Sequence, residues 1–208
     1  MKTVAILSQK GGAGKTTIAL NLSVAASLNK KKSVIIDIDP QTSITQWGDS
    51  RNKENPTVIS VPASRLSNTL NVCLNNKVDF VFIDTAPHAE QSSLMAARQA
   101  DLIIIPCRPS VIDIRAIQST IDICKIAEVK YFIVLNQVLP RSNLTHDTLE
   151  ALKALQIPTV PVNIGQRISY INSVTQGQGV MEFDPRGKSY QEINNLYKFV
   201  VKQVKSKS

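Results

Sequence analysis

The run Gln9-Lys10-Gly11-Gly12-Ala13-Gly14-Lys15-Thr16-Thr17 has the residue types and spacing needed to hold a chain of phosphates. Glycine has no Cβ and accepts positive φ, so successive backbone N–H groups from Gly11 to Thr17 can close around an anion. Lys15 adds a mobile charge for β- and γ-phosphates, and the Thr16 hydroxyl can ligate Mg²⁺. Such a loop works only if it is held. The apolar run Thr3-Val4-Ala5-Ile6-Leu7 before it reads as a strand, and Ile18-Ala19-Leu20-Asn21-Leu22 after it as a helix whose unsatisfied N–H groups point back into the loop. Strand, glycine loop and helix together describe a nucleoside triphosphate site. A glycine turn with two solvated lysines is the plain alternative, and the flanking elements argue against it.

Three carboxylates and an amide stand where such a site needs them. Ser33-Val34-Ile35-Ile36-Asp37-Ile38-Asp39-Pro40-Gln41 and the run from Val78 to Asp84 are apolar stretches that end in acids. Val/Ile runs without alternation suit strands covered on both faces, and ligands of parallel sheets gather at the strands' C-terminal ends. Asp37 and Asp39, two apart, share a face if extended, although Pro40 bends the chain just after. A strand-end turn is the simpler alternative. Asp84 has the Walker B form, an aspartate at a strand tip that orients a water on Mg²⁺. Tyr131–Asn136 repeats the buried run, and the Asn136 amide, which both donates and accepts, suits a nucleobase edge or else a plain turn.

An ordinary P-loop, G-x-x-x-x-G-K-S/T, has glycine where this chain has Gln9. The form present, K-G-G-x-G-K-T-T, resembles the deviant Walker ATPases of the ParA/MinD group, and Asp37-Ile38-Asp39-Pro40-Gln41 resembles their switch I. The resemblance runs from Thr3 to about Val204. It implies ATP/ADP and Mg²⁺ as ligands, with Lys15 and Asp39 as catalytic groups, Asp39 positioning the attacking water. Lys10, the extra lysine, is implied to cross a dimer interface to the partner's nucleotide. Asp37 supports the Mg²⁺ shell beside Thr16 and Asp84, a switch II loop spans Thr85 to Gln91, and Asn136 with the loop Pro161 to Asn163 receives the adenine. Gln166-Arg167-Ile168 and the run from Gln176 to Lys188 resemble the part of the ParA group that binds DNA without reading sequence. Arg167, Arg186 and Lys188 are the expected contacts, supported by Lys198 and Lys202. An ion pair of Arg167 or Arg186 with a carboxylate such as Asp184 is the alternative.

Composition sets the frame. The chain has 208 residues, 43% of them hydrophobic, enough for one domain over 1–208 to bury a core without metal or disulfide help. Cys73, Cys107 and Cys124 lack C-x-x-C spacing, which supports neither a disulfide framework nor a zinc or iron–sulfur site, and a reducing cytoplasm is the expected location. No run approaches the ~18 apolar residues of a spanning helix, and no signal segment leads the chain. The net charge of +8 points to a polyanionic partner, and between Arg186 and Ser208 six cations face Glu192 alone.

The remaining runs read as a helix at Thr42–Trp47, a strand at Thr57–Val61, helices at Ser64–Asn75, Val111–Ala127 and Asp147–Leu155, strands at Leu102–Pro106 and Thr159–Asn163, and a final helix. In that helix Ile193, Leu196, Tyr197, Val200, Val201 and Val204 make one apolar stripe, with Lys198, Lys202 and Lys205 outside it. The expected fold is a doubly wound α/β layer, a mainly parallel sheet of about seven or eight strands with helices on both faces. The resemblance implies a short ParA-type partition ATPase lacking the DNA-reading domain of longer members: a homodimer on ATP binding, held on nonspecific DNA at the nucleoid, released when a centromere-binding ParB-type partner stimulates hydrolysis, and not stably bound to membrane. The alternatives are a MinD-like membrane-surface ATPase, for which Tyr197–Lys202 is the candidate insertion segment, and nucleoid-based positioning of a protein assembly such as a carboxysome.

Overall fold

The apolar runs form strands because both sides of each are covered. In the computed structural model, which describes residues 1–41 and 43–205, β1 (Lys2–Ile6), β2 (Ser33–Asp37), β3 (Thr57–Ser60), β4 (Phe80–Asp84), β5 (Leu102–Cys107) and β6 (Tyr131–Leu135) make one sheet. Every pairing is parallel, and the order is β3-β2-β4-β1-β5-β6. Successive side chains alternate between two cores: Val4, Ile6, Phe80, Phe82, Leu102 and Ile104 enter one, while Ala5, Leu7, Val81, Ile83, Ile103 and Ile105 enter the other. With helices on both faces, no strand needs a polar side.

The first face is covered by α1 (Lys15–Leu28), α2 (Ser43–Asp49), α8 (Ile168–Thr175), α9 (Val180–Phe183) and α10 (Lys188–Lys205). The second is covered by α3 (Leu66–Asn75), α4 (Glu90–Arg98), α5 (Val111–Ala116), α6 (Gln118–Ile126) and α7 (Leu144–Ala154). Helix α1 is buried almost all round, from Ile18 through Ala26, as a helix wedged between a sheet and other helices must be. Helix α10 lays Ile193, Leu196, Tyr197, Val200 and Val204 into the core, and its exposed side carries Lys198, Lys202 and Lys205. Tyr197 meets Phe80 edge-on at 6.0 Å and Phe199 meets Phe132 at 4.8 Å. The stripe is therefore core packing, and its bulky residues are not free to enter a lipid surface. No described helix is long and apolar enough to cross a membrane.

Several expectations need correction. The sheet has six strands rather than seven or eight, because Thr159–Asn163 is not a strand. Thr159 makes one isolated bridge to Ile133 and the next falls at Gly165 to Val138; Pro161, which has no N–H to donate, lies between them. The helix at Val111–Ala127 divides into α5 and α6 at Ile117. Helices α4, α8 and α9 were not anticipated. The helix expected from Thr42 is seen as Ser43–Asp49; Thr42 itself, and Lys207 of the basic end, lie outside the described residues.

Candidate nucleotide site

Strand order brings the site together. β4 lies between β1 and β2, with Asp84 in register with Ile6 on one side and Asp37 on the other. The loop after β1, the acids after β2 and the tip of β4 thus share one end of the sheet, at the point where strand order reverses about β1.

The loop is pinned by its carbonyls. Arg108 Nε and Nη2 donate to Gly12 O at 3.2 and 2.5 Å, Gln137 Nε2 donates to the same oxygen at 3.0 Å, and Asn136 Nδ2 donates to Ala13 O at 2.8 Å. Because a trans peptide sets C=O and N–H on opposite sides, fixing these oxygens turns the N–H groups of Ala13 and Gly14 the other way. Neither amide has an acceptor among the described residues. Gly12 has φ +70° and Gly14 φ +98°, and a Cβ on Gly14 would run into the Asn136 amide. Gly14 is also the N-cap of α1 with no side-chain cap, so the helix presents its orphan N–H groups to the same space. Gln9 has a structural reason to replace glycine. It is buried, its N–H donates to Thr120 Oγ1 at 3.2 Å and its Nε2 to Ser93 Oγ at 3.2 Å, which ties the loop to α6 and α4.

Lys15 and the acids face one another inside this frame. Lys15 is 6% exposed and donates to Lys10 O at 3.5 Å; burial pushes its ammonium below the usual lysine range, against the pull of Asp84 and Asp39. Thr16 Oγ1 donates to Asp84 Oδ2 at 2.7 Å. Asp37 Oδ1 accepts from Asp39 N at 3.0 Å and Oδ2 from Thr45 Oγ1 at 2.9 Å, while Asp39 Oδ1 accepts from Gln41 N at 2.9 Å. Burial pushes Asp37 up, and pushes Asp84 up to about 7, with the Thr16 hydroxyl opposing and the Asp37 charge adding. Asp84 Oδ1 is buried without a hydrogen-bond partner. A carboxylate with one orphaned oxygen, beside a hydroxyl and under a nest of free amides, fits a cation. No group of three or more described His, Cys, Asp or Glu residues makes a protein-only metal site, so the cation must draw its other ligands from phosphate and water.

The remaining candidates fall in different places. Lys10 Nζ lies 2.7 Å from Asp113 Oδ1 in its own subunit. Asn136 lines a cavity of about 260 Å³ with Thr17, Gln137, Gly165, Arg167 and Tyr170. Pro161 and Asn163 are not among its lining residues. Arg167 is paired while partly exposed: its Nε donates to Glu192 Oε1 at 3.0 Å and Tyr170 Oη to Glu192 Oε2 at 3.1 Å. Arg186, Lys188, Lys198 and Lys202 are exposed and enter no ion pair with described residues. Sequence reasoning missed Arg108, Asp113, Gln137, Thr45 and Glu192. Only Asp113 left a signal. Ser110-Val111-Ile112-Asp113 has the spacing of a helix cap with an acid three residues on, and Ser110 does cap α5, accepting from Asp113 N at 3.1 Å.

The parallel sheet, the P-loop at its reversal point and the two strand-tip aspartates define a doubly wound P-loop nucleotide-binding fold. Residues 4–180 match the CobQ/CobB/MinD/ParA nucleotide binding domain, and the chain belongs to that family. It is 32% identical over 210 residues to the maintenance of carboxysome distribution protein A of Halothiobacillus neapolitanus, covering 96% of each chain. Among solved structures it resembles the septum site-determining protein MinD of Pyrococcus horikoshii complexed with Mg-ADP (TM-score 0.76, 18% identity, 96% of this chain and 95% of that one). It likewise resembles the cobyrinic acid a,c-diamide synthase of Mycobacterium smegmatis with a bound ATP analogue and magnesium (TM-score 0.80, 15% identity, 100% and 97%). At these identities the two structures share the fold.

Proposed function

We propose that the chain is a single-domain ATPase of the ParA kind, which closes as a homodimer around ATP, binds nonspecific DNA in that state and lets go after hydrolysis. The observation that carries this reading is the cradle itself: free amides of Ala13 and Gly14, the buried Lys15 ammonium, and Thr16, Asp84 and Asp37 gathered at one sheet end. The amides and Lys15 bind and orient the phosphates. Thr16 and Asp84, backed by Asp37, would hold Mg²⁺, which would supply neutralising charge to the phosphates. Asp39, the acid nearest the open side, orients the attacking water, and Asn136 and the cavity beside it receive the base.

Lys10 needs a second function, because Asp113 occupies it within the subunit. Release from Asp113 lets it reach the partner's nucleotide, which makes dimerisation part of catalysis. The exposed cations Arg186, Lys188, Lys198 and Lys202 supply the DNA surface, at cytoplasmic, nucleoid-bound sites, and a ParB-type partner on a plasmid or chromosome is the expected stimulator of hydrolysis. Likeness to a carboxysome distribution protein along nearly the whole chain supports a second cargo, a protein assembly carried on the same ATP and DNA cycle. Sedimentation with ATP, ADP or no nucleotide, followed by pelleting with plasmid DNA or anionic vesicles, tests the common core. An ATP-dependent dimer that pellets with DNA is expected; a monomer with ATP, or a dimer that prefers vesicles, refutes the reading.

A further inference from the structure

A second concave site lies at the other end of the sheet. It is built from chain that leads into the strands: Lys2 and Phe80 open β1 and β4, Val78 and Asp79 precede β4, and Lys31 precedes β2. Helix α3 ends at its edge with Leu74, Lys77 follows just past that helix, and the last turns of α10 bring Tyr197, Val201, Val204 and Lys205. The groove holds about 550 Å³, inside the range of about 300–1,000 Å³ typical of ligand pockets.

Its chemistry is divided. The floor is apolar and recessed, with Phe80 and Tyr197 each 6% exposed, Val204 1% and Val78 4%, while Leu74 stands 55% exposed at the rim. The rim carries four lysines, Lys2, Lys31, Lys77 and Lys205, against one acid, Asp79. Asp79 is already matched: its carboxylate accepts from Lys32 N at 2.9 Å and from Lys31 Nζ at 3.3 Å. These bonds, the Lys32 amide first, hold it below the usual carboxylate range. Lys2, Lys77 and Lys205 enter no ion pair among the described residues. A surface of this kind is unmatched in two ways at once, leaving Met1 and Leu74 exposed to water at the rim and three cations without counter-charge.

We propose that this groove docks an acidic segment of a partner protein, one bulky apolar side chain of which packs against Leu74 and Met1 over the edges of Phe80 and Tyr197 while flanking carboxylates meet Lys2, Lys77 and Lys205. Each half excludes a different rival. A nucleic acid would satisfy the lysines but lay hydrated phosphate over the apolar floor. A bilayer surface would need a continuous set of protruding apolar side chains, and here only Met1 and Leu74 protrude, while Val78, Phe80, Tyr197 and Val204 are recessed. An apolar anchor ringed by charge pairs has the anatomy of a protein interface, with a desolvated centre and a polar rim. The groove is remote from the nucleotide end of the sheet, so docking here does not depend on the ATP cycle proposed above.

The test is fluorescence anisotropy on the full chain with a labelled peptide carrying a Leu-Phe pair flanked by aspartates and glutamates. Two control peptides replace the acids by Asn and Gln, or the Leu-Phe pair by Ser. The double variant Lys77→Glu with Lys205→Glu changes only exposed side chains outside the nucleotide site, and its fold is checked by its circular dichroism. Binding is expected to weaken at least about tenfold in the double variant and for either control peptide, and to fall as salt rises. It is expected to be the same with and without ATP. No binding of the acidic peptide, or equal binding to the double variant, overturns the proposal. Duplex DNA or phosphatidylglycerol vesicles losing more affinity than the peptide in the double variant would also overturn it, and would assign the groove to nucleic acid or membrane respectively.

Discussion

The Lys10 ammonium lies 2.7 Å from a carboxylate that is itself buried, Asp113 being 8% exposed at its side chain and Lys10 31%. Removing Lys10 leaves Asp113 with the Ser110 hydroxyl as its remaining side-chain partner, but the site is partly solvated. We therefore expect Lys10→Ala to cost only about 1 kcal/mol of stability. It should keep monomeric nucleotide binding, read by titration of a fluorescent ATP analogue, and lose partner-stimulated phosphate release by about a hundredfold or more. A variant unable to bind nucleotide as a monomer contradicts the cross-subunit role. Asp39 is the converse case. It touches Gln41 N and helps no buried packing, so Asp39→Ala should bind ATP and dimerise normally while hydrolysis slows about 10²–10⁴-fold. Equal turnover in wild type and variant would assign the water to another group. Lys15, Thr16, Asp37 and Asp84 could be placed from sequence because a loop motif and strand tips fix them locally. Arg108 and Gln137 could not, because they reach the loop only through the strand order β4-β1-β5-β6, which no local pattern encodes; the cap spacing marks Asp113 as a helix start but not as the partner of Lys10.

Among the elements, the loop after α2 is held to α9 by charge. Arg51 Nη1 and Nη2 donate to Glu182 Oε2 and Oε1 at 3.0 and 3.1 Å, Nη1 also reaches Gly177 O at 2.9 Å, and the guanidinium lies 4.6 Å from the Trp47 ring centre. Both side chains are buried, at 2% and 5% exposure. Burial works against the Glu182 charge, yet Arg51, the Gly179 N–H and Lys53 hold its carboxyl below the usual glutamate range. A folded-state pKa below the unfolded value gives stability that is present above about pH 4.3 and is lost as pH falls through the folded pKa. Urea midpoints measured from pH 7 downward should show this acid loss in the wild type and a flatter limb in Glu182→Gln. That variant, with Arg51 left unmatched, should be about 3 kcal/mol less stable at pH 7. Parallel acid limbs would place the titration elsewhere. The pair also shows where pattern reading stops. The strands were legible because two-sided burial leaves unbroken Val/Ile runs. Helix α9 was not, since its four residues are fixed by Glu182, by Val180 N donating to Asn21 Oδ1 at 2.8 Å and by Trp47 Nε1 donating to Gln178 O at 3.2 Å.

At the scale of the whole molecule the question is where the excess of +8 charges acts. Glu192 is the one acid between Arg186 and Ser208, and it is spent on Arg167 and Tyr170, outside that stretch. Arg186, Lys188, Lys198 and Lys202 enter no ion pair among the described residues, and Arg167 shares its charge with Glu192. Nonspecific DNA binding by such a surface releases about 0.9 counterion per phosphate neutralised, so the slope of log affinity against log salt counts contacts. A dimer presents each cation twice, which makes affinity depend on ATP without any new contact inside a subunit. Arg186→Glu combined with Asp39→Ala isolates the contact, because that dimer should form with ATP whatever happens to DNA. Removing one contact from each subunit should reduce the magnitude of the salt slope by roughly 1.8, and sedimentation should still show the dimer. If the dimer forms and the slope is unchanged, Arg186 touches no phosphate, and the DNA surface must be sought around Lys198 and Lys202 on α10.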